Sequence, residues 1–396
     1  MLPLAGFRVL ELTHVWAGPL CGQVLADLGA EVIRIESRAH LDIHRRGGPY
    51  AGAPGVNRSG TWNAQNRNKL GCALDVKQAE GRQLLLDLVA RSDVLIENFT
   101  PGTLDRLRLG FDVLRAANDR IVLLSLSGYG HTGPLRDSLA YGPMMDAATG
   151  LSAATTYADG IPRAVNGWAA DVGGALHGCA CVVRALAERT GRALHIDLSQ
   201  FEAGALFLAA PLLEALRGPA GGGTARGVQL TAESREPDRW VAASAASLRE
   251  ATPLFDLLCG RARSAGLLRR WRDEGAASCA RELQAPFTEW AARRDQGAAL
   301  RELAAAGVPA VPITTVGDLL SDPELARRSA FTEVEHAEVG PTRNYGPVIR
   351  FEDDEGPVPA PSRPAPLLGG DNDHVFRQLL GLSPERIAQL AERGVI

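Results

Sequence analysis

Along the first 130 residues, short apolar runs alternate with stretches whose apolar positions recur every three or four residues. Arg8–Leu12 (RVLEL) is a compact apolar run and Glu31–Glu36 (EVIRIE) alternates apolar with polar positions, so both predict strands. Between them the spacing predicts a helix over 17–28. A second is predicted over 80–90, where Leu84, Leu85, Leu88 and Val89 share one face. The β-rich runs 92–96 (SDVLI) and 121–126 (IVLLSL) end in polar or glycine residues. Strand–helix alternation at this spacing predicts an α/β fold, a mainly parallel sheet with helices on both faces.

Farther along, a helix rich in small residues is predicted over 171–189, stopped at Gly191, and a second apolar helix over 198–216. The run Gly218-Pro219-Ala220-Gly221-Gly222-Gly223 then breaks all periodicity and reads as a hinge. Residues 230–315 read as helix-rich, with one strand-like piece at Trp240-Val241-Ala242. Residues 337–365 are rich in Pro and Gly and read as an extended return, and a last helix is predicted over 384–393. The domain plan is a large Rossmann-like domain whose first part is 1–217, a linker at 218–228, a smaller α+β domain at 229–325, and a return at 326–396 completing the large domain.

Composition narrows the possible roles. The 396 residues are 45% hydrophobic and 22% charged, ordinary for a globular chain of two or three domains. With 42 Lys+Arg against 46 Asp+Glu the formal charge is −4, so no basic face is implied and nucleic acid is not an expected partner. No run is expected to supply the ~20 apolar residues of a membrane span. The opening Met1-Leu2-Pro3-Leu4-Ala5-Gly6 lacks the charged and apolar pattern of a leader. Cys21, Cys72, Cys179, Cys181, Cys259 and Cys279 make no CxxC pair and read as buried thiols of a reducing compartment, here the cytoplasm.

The opening β-α-β invites a dinucleotide reading, with Glu36 where a ribose-binding acid would stand. However, G-x-G-x-x-G is absent, and Pro19 removes an N–H from the turn that would cradle a pyrophosphate. Gly18-Pro19 is equally well a plain helix start. The chain has no P-loop, HExxH or GxSxG, and His14, His131, His177 and His195 share no metal-ligand spacing. One carboxylate stands out. Asp171, in Asn166-Gly167-Trp168-Ala169-Ala170-Asp171-Val172-Gly173-Gly174, heads a long helix. Asp is a common helix cap and needs no further role there. Yet Gly173-Gly174 weakens the first turn by roughly 1 kcal/mol per glycine while permitting close approach of a ligand. Trp168 adds a flat surface beside a carboxylate able to act as a nucleophile toward an activated carbonyl.

Several collinear stretches resemble the class III coenzyme A-transferases, the family of formyl-CoA transferase and L-carnitine CoA-transferase, to which alpha-methylacyl-CoA racemase is related. They include Leu10-Glu11-Leu12-Thr13-His14-Val15-Trp16-Ala17-Gly18-Pro19, Leu25-Ala26-Asp27-Leu28-Gly29-Ala30-Glu31-Val32-Ile33, Asn68-Lys69 and Leu74-Asp75. Glu97-Asn98-Phe99-Thr100-Pro101-Gly102, Asp105-Arg106, Ser127-Gly128-Tyr129-Gly130-His131-Thr132-Gly133-Pro134 and the Asp171 segment follow. Ala185-Leu186, Arg189-Thr190-Gly191, Gly307-Val308-Pro309-Ala310 and Arg363-Pro364-Ala365-Pro366-Leu367-Leu368-Gly369 complete the match.

The resemblance implies that Asp171 is the catalytic nucleophile, carrying acyl and CoA groups covalently in turn. It implies that Val15, Arg38, Leu74, Asn98, Phe99 and Arg106 hold coenzyme A. Trp16 and Tyr141 would face the acyl group, with His14 and Trp168 beside them. Acyl-CoA and a carboxylic acid would be the substrates, with no permanently bound cofactor and no metal. It also implies a homodimer whose chains thread through one another as rings. Three departures bear on activity. Where racemase relatives carry Gly-His-Asp this chain has Ala140-Tyr141-Gly142, and a phenol of pKa ~10 is a poor two-way proton carrier. The glycine-rich loop of formyl-CoA transferase has no clear counterpart after Trp240. The stretch 224–236 lacks the family's Gly-Asn-Arg-His and Pro-Tyr-Gly pieces. A racemase or isomerase on the same scaffold, and a CoA-binding subunit without chemistry of its own, are the alternative readings.

Overall fold

The computed structural model describes residues 1–155, 161–164, 168–188, 191–217 and 227–396. The chain divides into two compact units, Met1–Leu208 with Ser329–Ile396, and Ala209–Arg328. The glycine run at 218–223 lies outside the described residues, as do Asn166, Gly167, Arg189 and Thr190.

The first unit is built on a six-stranded sheet: β1 (Arg8–Leu12), β2 (Glu31–Glu36), β3 (Leu70–Ala73), β4 (Val94–Glu97), β5 (Val122–Ser127) and β6 (Leu194–Ser199). Every pairing is parallel, in the order β3-β2-β1-β4-β5-β6. That order reverses direction between β1 and β4, and a crevice at the carboxyl ends of these two strands is where such sheets take ligands. The α/β reading therefore holds, with two strands unread, β3 and β6. Strand β6 falls where the sequence reading began an apolar helix at 198, because its last residues run straight into an apolar stretch. That stretch is not one helix either: Gln200–Ala205, a 3-10 turn at Leu206–Leu208 and Ala209–Arg217 follow in succession.

Alternation along the strands makes two cores. Leu10, Ile33, Leu95 and Leu123 face one side, packed with Leu85, Leu88, Phe376 and Leu390. Val9, Val32, Val94 and Leu124 face the other, packed with Cys21, Leu25, Ala175, Cys179 and Val182. Helices α1 (Ala17–Asp27), α2 (Ala79–Val89) and, beyond α3 (Gly142–Ala148), α4 (Ala169–Glu188) supply most of these partners, while Phe376 and Leu390 come from the helical turns Asp373–Leu379 and Pro384–Glu392 near the end of the chain. Each fully buried Leu or Val contributes about 1.5–3 kcal/mol. Contrary to the sequence reading, α4 is long and apolar enough to cross a membrane by length and composition. Its small residues instead let it pack closely: a Cβ on Gly178 would stand 3.0 Å from Leu124 Cδ2 and 3.6 Å from Cys21 Sγ.

The return segment is more structured than an extended strap. It contains two hairpins, Phe331–His336 with Gly340–Tyr345 and Phe351–Asp353 with Gly356–Val358. It then covers the β3 edge, where the Asp371 and Asn372 side chains accept the N–H groups of Gly71 (2.7 Å) and Ala73 (2.8 Å). Those edge donors would otherwise be open to another strand. The last helix spans Pro384–Glu392.

In the second unit the single strand-like piece proves to be the centre of a three-stranded sheet. Val228–Glu233, Trp240–Ala245 and Ala310–Ile313 pair antiparallel. Leu230, Val241, Phe255, Leu283, Phe287 and Leu303 close its core under the helices Leu248–Glu274 (broken at Gly260), Ala276–Ala291 and Gln296–Ala305. All six cysteines are free thiols, but Cys181, on the outer face of α4, is exposed and Cys259 is only half-buried, so four of the six are buried as expected.

Candidate active site

The carboxyl ends of β1, β2 and β4 rest on a layer of buried charge. Glu11, Arg34 and Lys69 are fully buried and mutually paired, Arg34 Nη1 to Glu11 Oε1 at 2.7 Å and Lys69 Nζ to Glu11 Oε2 at 2.9 Å. Lys69 also donates to the carbonyl of Pro19 and to Asn66. Burial pulls Lys69 down to about 8 although Glu11 opposes it. Beside this layer Arg45 lies 3.6 Å above the Trp62 ring and pairs with Glu36, another pair sealed from water.

On this layer sits the turn after β1. Val15 has φ +67°, a strained backbone for a β-branched residue. Two side chains hold it there. Asp42 Oδ2 accepts the Val15 N–H at 3.0 Å while taking Arg34 Nη2 at 2.8 Å. Asn98, just past β4, accepts the His14 N–H at 2.7 Å and donates to the His14 carbonyl at 2.8 Å. Burial would raise Asp42, but Arg34 and the His44 N–H hold it below the usual carboxylate range. Burial and then Arg34 lower the His14 imidazole, against Asp42 and Glu36, favouring its neutral form. Its ring lies 5.7 Å from that of Phe99.

The start of α4 reaches the same edge. The Trp168 ring meets Trp16 edge-on at 4.1 Å, joining the two segments. Asp171 is the third residue of α4 and does not serve as its cap. That job falls to Asp146 in α3, whose Oδ1 accepts the Ala170 N–H at 3.1 Å, while Trp168 supplies the first helical carbonyl to Val172. Asp171 Oδ1 accepts instead from Gln200 Nε2 at 2.8 Å, just beyond β6. The carboxylate is partly exposed, and burial, with a smaller push from Asp146 and against the Gln200 bond, raises it to about 6. At pH 7 it is mostly ionised and more basic than an ordinary aspartate.

Its glycine neighbours admit protein, not ligand. A Cβ on Gly173 would stand 2.9 Å from Phe207 Cε2, and one on Gly174 3.1 Å from Gln200 Cγ. The glycine pair thus lets the helix Gln200–Ala205 and its successor press against α4, and the expectation that it opens the backbone to a ligand is corrected.

Contacts thus bring His14, Val15, Trp16, Asn98, Phe99, Trp168 and Asp171 together. Tyr141 is exposed at the amino end of α3, next to Gly142, whose backbone lies against Asp171. Arg38 is exposed past the end of β2, over Gly369, and Arg106 is exposed, donating to Thr103 Oγ1 at 2.7 Å. Leu74 differs. Its side chain is 2% exposed in the core beside Leu10 and Leu12, which leaves only its backbone to face a ligand. The sequence reading missed Asp42, Asp146, Gln200 and Gly142, which act only through contacts across the fold. A separate cavity of about 580 Å3 lies at the amino-terminal edge of the sheet, bordered by Phe7, Asp93, Arg120 and Leu194, away from Asp171.

Comparison with known proteins gives a consistent result. Residues 4–372 match the model of CoA-transferase family III. The chain is 32% identical to a probable CoA-transferase of Mycobacterium tuberculosis across its whole length, but spans 50% of that longer protein. It is 29% identical to the beta subunit of a succinyl-CoA–L-malate CoA-transferase of Chloroflexus aurantiacus, covering all of this chain and 98% of that one. A formyl-CoA:oxalate CoA-transferase of Rhodopseudomonas palustris is 28% identical, with 99% and 97% covered. Among solved structures, a CAIB/BAIF family protein from Brucella suis superposes with a TM-score of 0.80 at 30% identity, over 95% of this chain and 99% of that one.

Proposed function

Since the chain belongs to CoA-transferase family III, we propose that it moves coenzyme A from an acyl-CoA donor to a carboxylic acid acceptor through covalent intermediates on Asp171. The observation that carries this reading is the Asp171 carboxylate itself: partly exposed, raised to about 6, and held by Gln200 beside two tryptophans at the ligand edge of the sheet.

Asp171 attacks the thioester carbonyl, expelling CoA thiolate and leaving an aspartyl–acyl mixed anhydride. The thiolate attacks the aspartyl carbonyl, releasing the donor carboxylate and leaving an aspartyl-CoA thioester. The acceptor carboxylate displaces CoA thiolate from that thioester, giving a second anhydride. The thiolate then takes the acceptor acyl group, and Asp171 is regenerated. No bond energy is lost to water at any step, so the aromatic pair Trp16–Trp168 has a clear role in screening the anhydride from hydrolysis. Gln200 stays bonded to one carboxyl oxygen while the other reacts. Val15, Asn98 and Phe99 would border the CoA, with Arg38 and Arg106 offering guanidinium groups to its phosphates. The acyl group would lie toward His14, Trp16, Tyr141 and Trp168.

Racemisation is disfavoured because Tyr141 stands where a proton-carrying imidazole is needed. The homodimer reading draws support from Leu212, Leu213 and Leu216, apolar side chains left exposed on one helix of the second unit. Six free thiols support a reducing compartment such as the cytoplasm. The test is to trap the enzyme with acyl-CoA and hydroxylamine and map the adduct by peptide mass spectrometry. Modification of Asp171, absent in Asp171→Asn, is expected; turnover that survives that substitution contradicts the reading.

A further inference from the structure

Outside the Asp171 site, a second set of titratable groups gathers around buried Glu97 at the end of β4, facing Ser125 of β5 and half-buried His195 near the start of β6. Glu97, the last residue of β4, is 2% exposed. Its Oε2 accepts the Phe99 N–H at 2.8 Å. Its carboxyl is also hydrogen-bonded to the Ser125 hydroxyl, on the neighbouring strand at the same register. Ser125 Oγ lies 3.0 Å from His195 Nε2 of β6, and His131 Nε2 stands 3.8 Å from Glu97 Oε1. The His195 ring stacks on Phe111 and meets His131 edge-on at 5.3 Å. Asp197 takes the His131 backbone N–H, and Asp105 borders the same small cavity of about 110 Å3 with Thr100 and Thr103. Nothing in the transfer chemistry uses these groups.

Two consequences follow from the geometry. First, Glu97 fixes the turn carrying Asn98 and Phe99, and Asn98 in turn clamps His14 beside the strained Val15. Second, the chain Glu97–Ser125–His195 can run in either direction. With Glu97 ionised, His195 donates to Ser125 and Ser125 to Glu97; with Glu97 protonated, the donors reverse and His195 Nε2 accepts. Only the ionised form gives Phe99 N–H a full charge-assisted partner.

We infer that Glu97 is a positioning residue for coenzyme A, holding the Asn98–Phe99 turn in its binding shape, with Ser125, His195 and His131 setting its protonation state. This rests on the transferase reading above. Burial raises Glu97 to about 7, with a further upward push from Asp197, against the Ser125 and Phe99 bonds. The clamp is therefore tighter at pH 8 than at pH 6.

The test is calorimetric titration of the intact protein with free coenzyme A at pH 6 and pH 8, with kcat and KM measured alongside. Wild-type affinity is expected to strengthen from pH 6 to pH 8. Glu97→Gln keeps an acceptor for Phe99 and a donor for Ser125, so it imitates the protonated state: its affinity is expected to match the wild-type pH 6 value at both pH values. Glu97→Ala is expected to weaken binding at pH 8 by about tenfold, with kcat at saturating substrate within twofold. Unchanged binding in Glu97→Ala, or a wild-type pH dependence retained in Glu97→Gln, overturns the inference alone. A wild-type protein that takes up no coenzyme A overturns the transferase reading and this inference with it.

Discussion

The α-carbon of Gly142 faces the Asp171 carboxylate so closely that a Cβ there would stand 2.0 Å from Oδ2 and 3.1 Å from Cγ. The two residues lie 29 positions apart, on the first turns of α3 and α4. The missing side chain leaves Asp171 the space in which its carboxylate sits.

Gly142→Ala should therefore move the carboxylate without breaking the fold, because the atom struck is the far end of a side chain. A displacement near 1 Å costs about 100-fold in rate. The expected result is that loss in kcat with a melting temperature changed by only a few degrees. Activity within threefold of wild type would show that Asp171 reacts from another position.

The ionisation of Asp171 sets the acid limb of activity. Since the carboxylate is the nucleophile and is raised to about 6, kcat/KM should fall tenfold per unit below that pH. Asp146→Asn keeps the bond to Ala170 and removes the like charge, so the limb should move to lower pH. Gln200→Met removes the donor to Oδ1, so the limb should move to higher pH. Opposite shifts in pH–rate profiles check both assignments together.

The same carboxylate weakens the fold near neutrality. Its pKa is higher folded than unfolded, so the stability it contributes is fully present below about 4 and is lost as pH rises through about 6. Asp171→Asn removes that loss. Urea titrations should show the variant gaining on wild type between pH 4 and 6, by about 1–2 kcal/mol after solvent screening, and holding the gain above that.

Lys69 is the reverse case, a structural charge below the site. Lys69→Met leaves Glu11 with Arg34 as its remaining buried cation and strips donors from Asn66 and the Pro19 carbonyl. Breaking a buried pair in this way costs about 3–5 kcal/mol, and the urea midpoint should drop accordingly. An unchanged midpoint would mean that the network is dispensable for folding.

Much of the first unit was legible from alternation alone. Arg8–Leu12 stands where its compact apolar run places it, and Glu31–Glu36 where its alternation of apolar and polar positions does. Strand β6 escaped because Leu198 joins it to the apolar stretch that follows. Of the two strands of the small sheet that escaped, Ala310–Ile313 follows closely on the helix Gln296–Ala305 and reads as part of the same helical stretch. Asp171 was visible as an acid at a helix start, but the sequence could not say whether it capped that helix.

The chain's own order of residues determined the alternating architecture, the carboxylate at the mouth of α4 and the family likeness that spans 4–372. These depend on local periodicity and on short contiguous motifs. Only the folded structure decided that Asp146 caps α4 and frees Asp171, that Gln200 steadies it, that Gly142 makes room for it, and that Leu74 faces the core. Each of those facts is a contact between segments distant along the chain, and packing in three dimensions alone brings such segments within reach.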